Sequence, residues 1–197
     1  MKKILGVLLL CLAGLSWAKL QPERSLQLDL APGQALKLEL SAGDYRIAPG
    51  QSGRVVVISQ SQNSHKTKPR FGVDISPTEA SVKVNAPEDY VALIEVPETS
   101  NLKVHLNGGR LQVNGVNGDK DIESNAGVVT IDMGKPENYG RVEASVDMGH
   151  IEAAPYDVVQ EGSARSFQRQ GPGSYRLHAH VGTGEIRLVA SETESSY

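Results

Sequence analysis

The chain has 197 residues, 39% hydrophobic and only 5% aromatic, with 20 basic against 23 acidic side chains and a formal net charge of −3. That length suits one domain with a sizeable core, and the charge balance gives no electrostatic footprint for nucleic acid. One cysteine and one tryptophan leave no material for a disulfide framework, so stability must come from packing.

The first element is a leader. Lys2 and Lys3 precede an apolar run from Ile4 to Leu15, followed by Ser16-Trp17-Ala18. A basic start, a short apolar run and small residues before the cut read as a secretory signal peptide over residues 1–18. The run is too short for a comfortable membrane span. A lipoprotein reading through Leu8-Leu9-Leu10-Cys11 would need a small residue where Leu10 stands. Cleavage after Ala18 removes Cys11, Trp17 and two of the 20 basic residues but no acidic one, moving the net charge from −3 to near −5. No later apolar stretch reaches membrane length, so no transmembrane segment is expected in the mature chain. The expected address is the periplasm, the outer membrane or the exterior.

From residue 19 onward, alternating apolar and polar residues predict strands, as at Leu26 to Leu30, Val55 to Ile58, Ala80 to Val84 and Leu102 to Leu106. No segment holds a helical period. Ser59 to Arg70 and Pro155 to Ser174, the latter with Gly171-Pro172-Gly173, read as loops or insertions. The expected domain is residues 19–190, with a polar tail over 191–197.

Within that domain one pattern recurs: LELSAGDYRI, VHLNGGRLQV, IESNAGVVTI, ASVDMGHIEA and AHVGTGEIRL align on Gly43, Gly109, Gly127, Gly149 and Gly184. Two residues after the glycine stand Tyr45, Leu111, Val129, Ile151 and Ile186, and four after stand Ile47, Val113, Ile131, Ala153 and Leu188. Five before stand Leu38, Val104, Ile122, Ala144 and Ala179; three before stand Leu40, Leu106, Ser124, Val146 and Val181. Three of these columns are wholly apolar, and Ser124 is the exception in the fourth. The residues between them are mostly polar. Each unit therefore reads as two strands with one buried and one wet face, joined at a corner. The glycine there either takes positive φ or meets the next layer's backbone too closely for a Cβ.

One unit is too small to bury a core alone, which favours stacking. The later corners are 18, 22 and 35 residues apart, and the first two spacings suit one solenoid rung each. The third suits a rung interrupted by the 155–174 segment. The expected fold is an all-β, right-handed β-solenoid with an N-terminal β-strand region; an antiparallel β-sandwich with similar hairpin turns is the alternative.

The run IEVPETSNLKVHLNGGRLQVNGVNGDKDIESNAGVVTIDMG, with its Val96-Pro97 entry and repeated Gly-x-apolar-x-apolar units, resembles the bacterial putative-adhesin family of β-solenoid envelope proteins, a family of unknown function. LKLELSAGDYRI followed by VVVIS is similar to that family's opening. The resemblance spans roughly Leu26 to Leu188. Its motif is structural, so it implies a fold and no catalytic residues.

Candidate chemistry is sparse. His105, His150, His178 and His180 all sit in or beside the repeats; His105 and His180 share the column four before the glycine, and His178 lies on the same strand face as His180. A metal could use such a set, but Glu123 and Ser145 occupy the column in the intervening repeats, and separate wet-face histidines are expected. Asp132, Asp147 and Glu152 could supply the acid and base of a polysaccharide-cleaving β-helix; scattered as they are among Arg110, Arg141 and Arg187, they read as a solvated ladder. Gly182-Thr183-Gly184 lacks a following helix and reads as a turn. Ser163 to Arg169 offers no base and orienter, and His65-Lys66-Lys68-Arg70 reads as a solvated loop.

The expectation is a non-enzymatic, adhesin-like binding module of the cell envelope, with no cofactor, no metal and no catalytic residue. Its partner would be an unidentified envelope protein or glycan. Its surface would be Arg110, Gln112, Thr130, Glu152 and Arg187 or the 155–174 segment. A carbohydrate-active enzyme and an envelope assembly factor are the alternatives.

Overall fold

The computed structural model describes residues 23–50, 53–59 and 68–190. The expected signal segment, His65, Lys66 and the 191–197 tail lie outside them. The described chain is all-β: β1 (Glu23–Asp29), β2 (Ala35–Leu40), β3 (Gly43–Pro49), β4 (Arg54–Ser59), β5 (Arg70–Ile75), β6 (Glu79–Asn85), β7 (Val91–Val96), β8 (Leu102–Leu106), β9 (Gly109–Val113), β10 (Lys120–Asp132), β11 (Tyr139–Ala153), β12 (Val158–Gln170) and β13 (Tyr175–Val189). Two three-residue 3-10 turns, Pro136–Asn138 and Ala154–Tyr156, are the only helical segments among the described residues.

The strands form one hydrogen-bonded sheet that bends along the glycine corners and nearly closes around a single core. One face carries β6, β2, β8, the first half of β10, and the first halves of β13 and β11; the other carries β7, β3, β9 and the second halves of β10, β13 and β11. All these neighbours pair in parallel. Among the described residues, antiparallel pairing is confined to the ends: β12 covers β11, while β5 covers β6 and β4 with β1 covers β7. Such pairing is not the consecutive-hairpin pattern of a sandwich.

Register follows the corner glycines. Gly43 lies against Gly109, Gly127 against Gly184 and Gly184 against Gly149. The backbone shows why no side chain fits. Gly109 and Gly127 have φ of +102° and +120°, and a Cβ on Gly127 would collide with the carbonyl oxygen of Gly109. Both reasons for glycine hold at once. The four inward columns are buried throughout, including Ser124, whose hydroxyl donates to the Ala126 carbonyl at 3.1 Å.

Three arrangements differ from expectation. First, the rungs do not stack in chain order: β2–β3 lies between β6–β7 and β8–β9, and β13 lies between β10 and β11. Gly127 and Gly149, 22 residues apart, are therefore not neighbours. Second, β6–β7 is a sixth rung, with Val82, Val84, Ala92 and Ile94 in register with Leu38, Leu40, Tyr45 and Ile47. Its corner, around Pro87 and Tyr90, has no glycine and so escapes the repeat. Third, Pro155 to Ser174 is not a loop or insertion: after a turn at Asp157 (φ 55°) it holds β12, paired with β11 from Ala153↔Val158 to Arg141↔Gln170. Most β12 side chains are exposed, with Phe167 and Val158 packed against the core end. A strand wet on nearly every residue carries no alternating pattern to read.

Candidate binding faces

On the outside of the first face, polar side chains from successive rungs stand side by side. Lys37 and Lys83 both bridge Glu39, at 2.8 and 3.1 Å, and these cations hold the Glu39 carboxyl below its usual range. Lys103 reaches Glu79 at 3.0 Å, and Arg176 grips Asp119 through Nε and Nη2 at 3.2 and 2.9 Å. A shallow groove of about 530 Å³ runs between Lys103, Asp121, His178, Glu143, Arg141 and Arg176. Its walls alternate in sign, so it presents no single-charge field.

His105, His178 and His180 sit along this surface. Because β13 stacks directly on β10, His105 and His180 are separated by one strand, roughly 10 Å, and not by several. Glu123 stands between them in register. Each histidine nonetheless has its own partner: His105 Nδ1 lies 3.7 Å from Glu123, His178 Nδ1 lies 2.8 Å from Asp121, and His180 Nδ1 lies 3.0 Å from the Ser145 hydroxyl.

The second face brings the expected surface together. Gln112, Thr130, Arg187 and Glu152 form one outward column across β9, β10, β13 and β11, with Arg110 in the adjoining column beside Asp44 at 3.4 Å. A second groove, of about 380 Å³, lies at one end of this face between Asp44, Arg46, Val91, Leu93, Arg110 and Gln112. The three carboxylates offered for polysaccharide cleavage do not converge. Asp132 is buried at the end of β10, where it accepts from the Gly134 amide at 2.9 Å; Asp147 is exposed beside the corner, 3.8 Å from His180; Glu152 faces outward on the other side. Lys68 and Arg70 line a small groove with Ser41 and Asn85.

One buried cation lies outside the surface reading. Seven before the corner glycine stand Leu36, Leu102, Lys120, Val142 and Leu177. Lys120 thus occupies a core column and is 1% exposed. Its ammonium donates to the Tyr139 hydroxyl at 2.6 Å and the Gly118 carbonyl at 3.2 Å. Burial pushes its pKa down to about 8, against the opposing pull of Asp119 and Asp132. Extending the repeat alignment by two residues would have revealed it.

That lowered pKa has a definite sign. Between pH 8 and 10.5 the unfolded chain holds a proton that folded Lys120 has released, so stability rises with pH across that window. Below pH 8 the burial cost is present in full. Burial raises the Tyr45 phenol to about 12 and pushes the Tyr139 phenol up as well, so above pH ~10 the unfolded state gains by ionising its tyrosines and stability falls. The denaturant midpoint should therefore peak near pH 10, with a gain of roughly 2 kcal/mol over pH 7.5. Lys120→Met should remove that gain. A midpoint that is flat from pH 7.5 to 10 would show that Lys120 keeps its ordinary pKa.

A crystal structure described as a "putative cell adhesion protein" from Clostridium sporogenes ATCC 15579 is similar to this chain, with 14% identity and a TM-score of 0.52 over 87% of this chain and 100% of that one. The likeness is one of fold alone. No protein-family model matches the chain, and no curated protein matches it. The family resemblance read from the repeats is thus supported only as far as an all-β fold like that of this neighbour. No helix among the described residues is long and apolar enough to cross a membrane.

Proposed function

We propose that this protein is an exported, non-enzymatic binding module of the bacterial cell envelope, built as a right-handed β-solenoid and engaging an envelope protein or glycan through its second face. The observation that carries this reading is the outward column Gln112–Thr130–Arg187–Glu152 with Arg110 beside it. It is an extended polar strip of mixed sign, held in register by paired backbones, and such a rigid strip binds by area without needing a deep pocket. The general preference of crossovers between parallel strands for the right-handed sense supports the proposed handedness. The leader-like residues 1–18 support export to the periplasm, outer membrane or exterior, and the structural neighbour described as a cell adhesion protein supports the adhesin-like role.

Arg110→Glu combined with Gln112→Ala is expected to lower co-sedimentation with envelope material about tenfold, with the circular dichroism spectrum unchanged, since truncating interface anchors of this kind costs at least ~1.4 kcal/mol. Undiminished co-sedimentation would remove the second face as the binding element. Glycan cleavage by the parent that vanishes in Asp147→Asn would overturn the non-enzymatic reading and favour the carbohydrate-active alternative.

A further inference from the structure

The second face also carries a constellation that the repeat pattern did not single out. His150 follows the corner glycine of β11 and Glu185 follows that of β13, so parallel register sets them directly opposite each other. Glu152 lies two residues beyond His150 on the same wet face. Each residue is part-buried, and one ligand atom from each lies within 4.8 Å of the other two. On its far side His150 is in register with Glu161 of β12, so carboxylates flank the imidazole from both neighbouring strands.

We infer that His150, Glu152 and Glu185 form a divalent-cation site of the zinc type, held closed in this structure by Arg187. The donors match that class. One imidazole nitrogen with two carboxylate oxygens suits zinc, cobalt or nickel, whereas calcium and magnesium prefer oxygen alone. Ligands around one zinc ion stand roughly 3.4 Å apart at bond lengths of ~2.0–2.2 Å. Atoms already within 4.8 Å need only side-chain rotation to close around it, because paired strands fix their Cα positions. Three protein ligands leave a fourth position open to solvent or to a donor from a bound molecule.

Arg187 marks where the charge belongs. Its guanidinium grips Glu185 through Nε and Nη2 at 2.7 and 2.9 Å, and Nε stands 4.0 Å from Glu152. The two carboxylates are thus gathered around a cation from the protein itself. An incoming ion takes over their charge and releases the arginine to solvent, so Arg187 is a competitor that sets how tightly the metal binds.

The test uses the full folded chain, stripped of metal by chelation and dialysed, and titrated with zinc by calorimetry and with cobalt by visible absorption. One ion per chain is expected at this site. His150→Ala and Glu185→Gln should each weaken zinc binding about tenfold or more, while Arg187→Gln should tighten it several-fold. His178→Ala and His180→Ala, on the opposite face, should leave it unchanged. Zinc should shift the imidazole signals of His150 in a nitrogen–proton spectrum, a readout that does not depend on any variant folding. Binding that survives His150→Ala, or an unshifted His150 signal, would overturn the site. Calcium binding as tightly as zinc would overturn the ligand assignment, and weaker binding in Arg187→Gln would overturn the competition. All these readouts are independent of envelope binding, so the cation site and the adhesin-like role stand or fall separately.

Discussion

Replacing Gly127 by valine is expected to lower the unfolding free energy by more than ~3 kcal/mol, through two costs that act together. Gly127 has φ of +120°, a conformation that β-branched residues strongly resist. Its new Cβ would also drive into the carbonyl oxygen of Gly109, and backbone held in a ladder cannot swing aside as a flexible side chain can. Relief requires β10 to move away from β9, which breaks hydrogen bonds on that side. The two costs can be separated at Gly33, where φ is +82° but nothing lies within 4 Å of a built Cβ. Gly33→Ala should cost only about 1 kcal/mol, and Thr130→Ser on the wet face should stay within ~0.5. The measurement is the midpoint of urea unfolding at constant slope. Gly127→Val melting with Thr130→Ser would end the corner argument.

Replacing residues 155–174 with a six-residue return like that of residues 133–138 is expected to abolish the folded monomer. Residues 133–138 already carry the chain from the end of β10 to the start of β11, so the shortened connection can close. What is lost is β12, and with it the ladder partners of β11 from Arg141 to Ala153. Phe167, which lies 5.4 Å from the Tyr156 ring, and Val158 leave the core end at the same time. A long exposed edge of parallel sheet then recruits another chain. Size-exclusion chromatography should show oligomers or aggregate, and circular dichroism should lose its cooperative melt. A well-folded, monomeric deletion would return the segment to the status of an insertion.

These two regions show which parts of the fold were legible in the sequence. The corner glycines and the four inward columns were readable because side-chain alternation and steric exclusion are local properties, repeated five times in similar words. The β6–β7 rung was not, since its corner uses Pro87 and Tyr90 in place of the glycine that anchored the alignment. β12 was missed because an end strand buries little on either side and so looks like a loop. Rung order was hidden for a deeper reason: each rung carries the same register signal, so nothing local says which rung lies beside which. On the surface, Gln112, Thr130, Glu152 and Arg187 were legible as one outward column. The meeting of His150 with Glu185 depended on β13 pairing with β11, a contact 35 residues apart in sequence.

The interleaved order of the rungs bears on how the chain acquires its shape during synthesis. A stack laid down in sequence could grow one rung at a time behind the ribosome. Here the middle position between β10 and β11 belongs to residues 175–189, which emerge after both neighbours. Until then β10 and β11 display matching glycine corners and matching inward columns, so pairing directly with each other is a trap of nearly native geometry. The β11–β12 hairpin can form early because its contacts are local. β13 must then dock between that hairpin and β10, a late, long-range closure of the kind that makes folding slow and leaves edges exposed while it waits. The repeat that makes the finished stack regular therefore makes its assembly ambiguous, and arrival of β13 resolves the choice.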